Sequence, residues 1–412
     1  MKRFWLFLIV LLLIGGVLAA QDIPPDLVDF IEGLEDYTTE VRGLPELESV
    51  TRLFPSRQEA IDYVTELYRQ EIPPDEAERL AQFYIALDLL PAGTDYLSIF
   101  LDLMSAQIGG FYNPDTKEMN ILLLNNDELG DDLPLMEQII YVHEFTHALQ
   151  DQHFGIAAVQ EAAAENVDES LAILALIEGD ATQVMNLYTA YVSQADPLGT
   201  ALQLLAQGAA TNTLTVPPGT PEIVATELLW TYLAGADFVA ALYRQGGWEA
   251  VNAAYANPPQ STEQILHPQA YIDGEAPLVV DLPDADLGDD WTQTWDTTLG
   301  EFYLREYLKT QISDDDAAEA AAGWGGDNLH IYHNTASGEL AWLLRVEWDD
   351  ATEAAEFADF FNQYAEAKFD AAADENGCWD GLCLVSGDTD HLIAGGPDAM
   401  TARLLLDSVT VR

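Results

Sequence analysis

Apolar positions along the chain switch between helical and extended spacing, and the switches mark the elements. Ser56 reads as the N-cap of a helix running to about Arg69. A second helix is expected from near Asp75, after Pro73-Pro74, ending before Pro91. A third amphipathic run covers about Tyr96 to Met104. Residues 21–50 are acidic and contain prolines, and read as a loose lead-in. Between Gln107 and Leu124 two extended runs flank Asn113-Pro114-Asp115, which predicts a β-hairpin. The segment PLMEQIIYVHEFTHALQDQHFG then reads as one helix of about five turns, with Pro134 tolerated in its first turn and Gly155 suited to its C-terminal cap. Asp168 opens another long helix through about Gln194, a Pro/Gly/Thr-rich break follows at 211–220, and helices resume over 221–256.

From about residue 260 the texture changes. Loops such as LPDADLGDD precede a helix near 299–311, strands at Leu329–His333 and Leu340–Trp348, a helix at 351–369, and a strand near His391–Ala394. A final segment reads as helix or strand, and DDDAAEAA at 314–321 as an exposed run of low complexity. LPDADLGDD lacks the ligand spacing and final Glu of a calcium loop. The fold class is therefore α+β: a mainly helical core with a β-hairpin edge, followed by a smaller α+β domain. The expected division is 1–20 N-terminal apolar segment, 21–104 N-terminal helical segment, 105–258 central domain and 259–412 α+β C-terminal domain.

Composition adds a partner exclusion. The 412 residues carry 71 Asp and Glu against 15 Lys and Arg, a formal net charge of −56. Nucleic acid is excluded as a partner, because phosphate binding needs clustered cations. A polybasic membrane patch is excluded on the same ground. Between Lys117 and Arg244 there is no Lys or Arg at all. Lys2 and Arg3 precede the uncharged run Phe4–Ala20, and Ala19-Ala20 suits signal-peptidase cleavage, so the protein is expected to be exported; an uncleaved anchor is the alternative. No later stretch reads as long and apolar enough to span a membrane. Cys378 and Cys383 then suggest a small-loop disulfide.

The candidate chemistry lies in HEFTH, residues 143–147. Histidines at i and i+4 share one helix face, so His143 and His147 can reach one metal, and Glu144 can touch a water on it. Imidazole and carboxylate ligands suit Zn2+. Two residues compete as third ligand. His153 completes an HExxHxxxxxH spacing, but Gln150 stands where a chain-turning glycine would be needed. On a continuous helix His153 lies about 9 Å along the axis and about 120° round from His147. Glu178 is favoured instead. It follows the seven apolar residues Leu171–Ile177, where an unpaired carboxylate is expensive, and no Lys or Arg is near it in sequence. Gly179 can let two helices approach closely.

HEFTH followed by the EGDA of Glu178–Ala181 resembles the gluzincin branch of the zincin metallopeptidases, peptidase clan MA. The longer pattern, with GFYNPDTKEMN before and EGDAT after, is similar to exported bacterial proteins of unassigned substrate. That likeness covers about residues 105–190; STEQILHP (261–268) resembles a further part of the group's pattern. The resemblance implies a zincin-like catalytic domain, zinc on His143, His147 and Glu178, and Glu144 as base. It also implies an edge strand that binds substrate, for which Met119–Leu122 is the candidate. One departure is Thr182, which stands where thermolysin-like enzymes carry a His-orienting Asp; Asp180 and Asp151 are the remaining candidates for supporting the ligands.

The function expected is zinc-dependent hydrolysis of a peptide or protein substrate, with no membrane partner beyond the export segment. The oxyanion donor has to be a His, a Tyr or a residue from outside the cation-free stretch, and His267 and Tyr271 are the candidates. The rival readings are an exported zinc-containing scaffold without turnover, and a zinc hydrolase of a non-peptide substrate.

Overall fold

The computed structural model describes residues 23–124, 128–211 and 216–410. The export segment expected over residues 1–20 lies outside them, as do residues 212–215 of the expected break. Along the chain the elements run α1 (Pro25–Arg42), β1 (Thr51–Leu53), α2 (Arg57–Glu71), α3 (Pro74–Ala86), α4 (Tyr96–Gln107), β2 (Gly110–Asn113) and β3 (Glu118–Ile121). Next come α5 (Leu135–Phe154), α6 (Ile156–Ala162), α7 (Val167–Ala195), α8 (Pro197–Thr211) and α9 (Glu222–Ala256). The remainder holds α10 (Thr262–Leu266), α11 (Pro268–Asp273), β4 (Trp291–Thr297), α12 (Gly300–Lys309), α13 (Asp314–Ala321), β5 (Trp324–Asn334), β6 (Leu340–Trp348), α14 (Ala351–Phe369), β7 (Leu382–Ser386), β8 (Asp390–Gly395) and α15 (Ala399–Thr410). The architecture is α+β, helical toward the N-terminus with an α+β C-terminal part.

Two compact units share these elements, and they do not follow chain order. Among the described residues, unit 1 falls within Met1–Pro73, Leu97–Ala164 and Ile173–Pro259, and unit 2 within Pro74–Tyr96, Glu165–Ala172 and Gln260–Arg412. The stretch 21–104, expected as one segment, is divided between them.

In unit 1 the supposed loose lead-in is an ordered helix. Leu27, Ile31, Leu34, Thr38 and Arg42 recur at helical spacing and are all buried on α1. Pro25 sits in its first turn, and Gly43, at φ +73°, closes it by donating its N–H to the Thr39 carbonyl. Pro25 starts the helix and Asp26, Asp29, Glu32, Asp36 and Glu40 face solvent, while Glu35 is buried and accepts from Arg52 and the Tyr141 hydroxyl. The α1 stripe joins Leu135, Ile139, Val142, Phe145 and Leu149 of α5 in one hydrophobic cluster. Helix α5 spans the expected range, with Gly155 at φ +63° as its left-handed C-cap. The α2 start carries the full capping box of Ser56 with Glu59.

The small sheet of unit 1 has the order β1-β3-β2. Strand β3 pairs parallel to β1 and antiparallel to β2. Met119 and Asn120 are therefore flanked on both sides, which corrects the first half of the expected substrate edge Met119–Leu122; on the other side of the sheet the edge strand is β2. The short β1 pairing lies 67 residues upstream and left no hairpin signal.

Helix α9 corrects a second expectation. By length and composition it is apolar enough to cross a membrane. Its Gly235, Phe238, Val239 and Leu242 are buried in unit 1, and Gly246-Gly247 break its helical geometry. A core helix satisfies the same length and composition rule.

Unit 2 is built on a five-stranded antiparallel sheet of order β4-β5-β6-β8-β7. The final segment is a helix, α15. DDDAAEAA is the short helix α13, capped by Ser313, with Ala317, Ala320 and Ala321 buried rather than exposed. Cys378 and Cys383 are joined in a disulfide.

Candidate metal centre

Helix α5 runs through the core, and every residue from Tyr141 to Gln150 is buried. Its i, i+4 spacing turns His143 and His147 to the same side. Helix α7 brings Glu178 to them. The Nε2 atoms of His143 and His147 are 3.1 Å apart, and Glu178 Oε2 lies 3.2 Å from the first and 3.6 Å from the second. A tetrahedral ion bonded to each donor at about 2.0–2.1 Å requires donor separations of about 3.3 Å. The three side chains thus form a buried group that could bind a metal, and their spacing fits one ion.

The approach of α7 depends on glycine. A Cβ at Gly179 would stand 2.2 Å from the backbone of Gly235 in α9, and one at Gly235 would stand 2.1 Å from the Ala175 carbonyl oxygen. The two helices cross where neither has a side chain, as Gly179 suggested. The crossing places Tyr232, one turn before Gly235, against the centre. Its hydroxyl is hydrogen-bonded to Glu178, and burial with the neighbouring carboxylates pushes its pKa well up. Its ring stacks on His143 at 5.7 Å.

Glu144 lies under β2. A Cβ at Gly110 would come 3.1 Å from Glu144 Cγ, so a larger residue there would crowd the carboxylate. Burial raises the Glu144 pKa, offset in part by His143, His147 and the backbone N–H of Tyr112. Burial would likewise raise Glu178, but the two imidazoles hold it at about 2. Against its own burial, His147 is lifted to about 9 by Glu178 and Glu144.

Behind the ligands, Gln150 Nε2 lies 3.0 Å from the Ile177 carbonyl and 3.1 Å from Asp180 Oδ2. Both are acceptors, so the amide nitrogen must face them and Oε1 must face His147. His147 therefore donates from Nδ1, at 2.8 Å, so Nε2 is the atom that faces the centre and that a metal would deprotonate. Asp180 also accepts from the Tyr255 hydroxyl and from Arg42. The Arg42–Asp180 pair is fully buried at 2.7 Å, with the guanidinium over the Trp248 ring.

The other candidates have different partners. His153 donates from Nε2 to the Pro45 carbonyl at 2.7 Å. Asp151 accepts from Lys117 at 2.5 Å and from the Tyr112 hydroxyl at 3.0 Å, and is not a solvated surface group. Thr182 is buried without a hydrogen-bond partner among the described residues. His267 and Tyr271 belong to unit 2, on and before α11; His267 Nε2 lies 3.1 Å from Glu301. Gln150, Tyr232 and Arg42 were not singled out by sequence. Arg42 could have been, as the one cation in the apolar stripe of α1.

A family model described as a domain of unknown function (DUF8575) matches residues 292–405, all within unit 2. No curated protein matches the chain. A solved structure from Chloroflexus aurantiacus, described as a candidate hydrolase with a novel fold, is 18% identical, with a TM-score of 0.34 over 61% of this chain and 90% of that one. A likeness of that degree carries no argument about fold or activity.

Proposed function

We propose that the protein is an exported zinc metallopeptidase. The observation that carries this reading is the convergence of His143, His147 and Glu178 at the separations of a tetrahedral site, with Glu144 beside them. Bound zinc would polarise a scissile carbonyl and lower the pKa of a water toward about 7. Two imidazoles and one carboxylate leave a position open for that water.

The chain's own residues supply the rest. Glu144, buried and with its pKa raised, is suited to take a proton from the water and deliver it to the leaving amine. Tyr232 keeps its phenol proton, and its hydroxyl is the donor best placed within unit 1 for the developing oxyanion. It takes the role that sequence assigned to His267 or Tyr271. Substrate binding falls to β2. The bond from Leu122 N to Gly109 O makes that pair a hydrogen-bonded one, so by alternation Gly110 and Tyr112 point their backbone groups away from β3, the Tyr112 N–H toward Glu144. An extended peptide added there would lie beside Glu144. The resemblance of HEFTH and EGDA to gluzincins supports the same reading, and the N-terminal signal pattern with the disulfide supports export.

The test is proteolysis by the purified protein. An unfolded protein substrate should be cleaved, a chelator should abolish cleavage, and one equivalent of zinc should restore it. Metal-independent cleavage, or none in the zinc-loaded protein, contradicts the reading.

A further inference from the structure

A second cluster of acidic side chains lies within unit 2. One carboxylate oxygen from each of Glu263, Glu275 and Asp349 stands within 4.8 Å of the others. Glu275 and Asp349 are exposed, but Glu263 is only 7% exposed. Among the described residues, no hydrogen-bond donor or cation partners the Glu263 carboxylate. The cationic side chains beside the neighbouring Glu301 are engaged with it, His267 at 3.1 Å and Arg305 at 3.8 Å. Burial and the charges of Asp349, Glu301, Glu275 and Asp168 push Glu263 up to about 9. A buried carboxylate aimed at two others, with nothing to neutralise it, is costly unless it takes up a proton or a cation.

We infer that Glu263, Glu275 and Asp349 bind one calcium ion. Calcium takes oxygen ligands at about 2.3–2.6 Å in a flexible shell of about six to eight, so a single ion spans the observed separation. Three carboxylates can supply up to six oxygens, and the exposed side, at Glu275 and Asp349, admits water. An all-carboxylate set does not suit zinc, which favours imidazole and thiolate. The backbone presents the ligands from three segments. Glu263 comes from α10; the segment after Glu275 is tied to β5 by Leu278 N to Gly325 O at 2.7 Å; Asp349 is tied to the same strand's approach by its own N–H to Gly323 O at 3.0 Å. The ion joins these segments and stabilises unit 2. None of the three carboxylates belongs to the LPDADLGDD loop.

The test is calorimetric titration and thermal melting of the full chain, freed of metal and reloaded with one equivalent of zinc. Calcium should bind once per chain with Kd on the order of 0.1 mM. The unfolding midpoint should rise by about 5–10 °C at a hundredfold excess over Kd. Magnesium should bind at least tenfold more weakly. Glu263→Gln should fold, with a calcium-free midpoint close to that of the wild type because the protonated Glu263 and the amide are both neutral, and should lose the calcium-dependent rise. Asp349→Asn should weaken calcium at least tenfold. If wild type shows no saturable calcium site, or if Glu263→Gln keeps the same stoichiometry and shift, binding is adventitious on the acidic surface and the inference fails. Glu263→Gln leaves the metal centre of unit 1 untouched, so loss of the calcium response is separable from failure of the peptidase reading.

Discussion

Gln150 Oε1 lies 2.8 Å from His147 Nδ1, at the position where a chain-turning glycine would be needed to make His153 a ligand. The helix continues, and Gln150 holds the ring of a candidate ligand on that same helix. Gln150→Ala should lower zinc affinity by about 10–100-fold, because the imidazole loses the acceptor that fixes its tautomer and ring angle. Competition against a fluorescent chelator measures this. Unchanged affinity in a folded variant would show that His147 needs no such support.

Arg42 and Asp180 form the next layer. Removing one partner of a fully buried pair leaves an uncompensated charge, so Arg42→Met should lower stability by about 3–5 kcal/mol in denaturant melts. Combining it with Asp180→Leu should recover part of that loss. No local pattern pairs Arg42 with Asp180, since 138 residues separate them. The cation-free stretch from 118 to 243 is cation-free in sequence but not in space. The argument it supported for Glu178 survives because Arg42 binds Asp180, two residues further on.

Tyr232→Phe removes the proposed oxyanion donor and leaves the ring on His143. Turnover should fall by about 100–1,000-fold with KM and zinc content little changed. An equal loss in KM alone would assign the hydroxyl to substrate binding instead.

Gly179→Ala tests how α7 is seated. Its Cβ would meet the Gly235 backbone, which cannot move as a side-chain tip can. The helices must separate, so both stability and zinc affinity should drop. Retention of both would show that the crossing tolerates a methyl group.

His391 gives a pH dependence in unit 2. Burial holds its pKa down at about 4, and Trp348 Nε1 donates to its Nδ1 at 2.8 Å. The folded state thus favours the neutral ring. Its contribution is full above the unfolded value of about 6.5 and is lost as pH falls toward 4, reaching about 2–3 kcal/mol. Melts from pH 7.5 to 4 should show a steeper decline in wild type than in His391→Gln.

How much of this was legible follows from what each feature depends on. Helices α2, α5 and α7, the β2–β3 hairpin and the candidate metal group rest on local signals: the Ser56 cap, Gly155, the Asn113-Pro114-Asp115 turn, and histidines one turn apart. Helix α1 was missed because its acidic face was weighed above the Leu27–Arg42 stripe. The β1 pairing, the Tyr232 contact and the Gln150–Asp180 link depend on which segments meet in space, and no local pattern encodes that. Gly235 was the one available clue to Tyr232, as a second glycine able to face Gly179.

The most direct measurement is zinc content and proteolysis of Glu144→Gln side by side. The substitution keeps the shape of the side chain and alters none of His143, His147 and Glu178. Zinc should remain at one per chain, while cleavage of an unfolded protein falls by at least several hundredfold. Cleavage at the wild-type rate with zinc bound would contradict the assignment of Glu144 as the base.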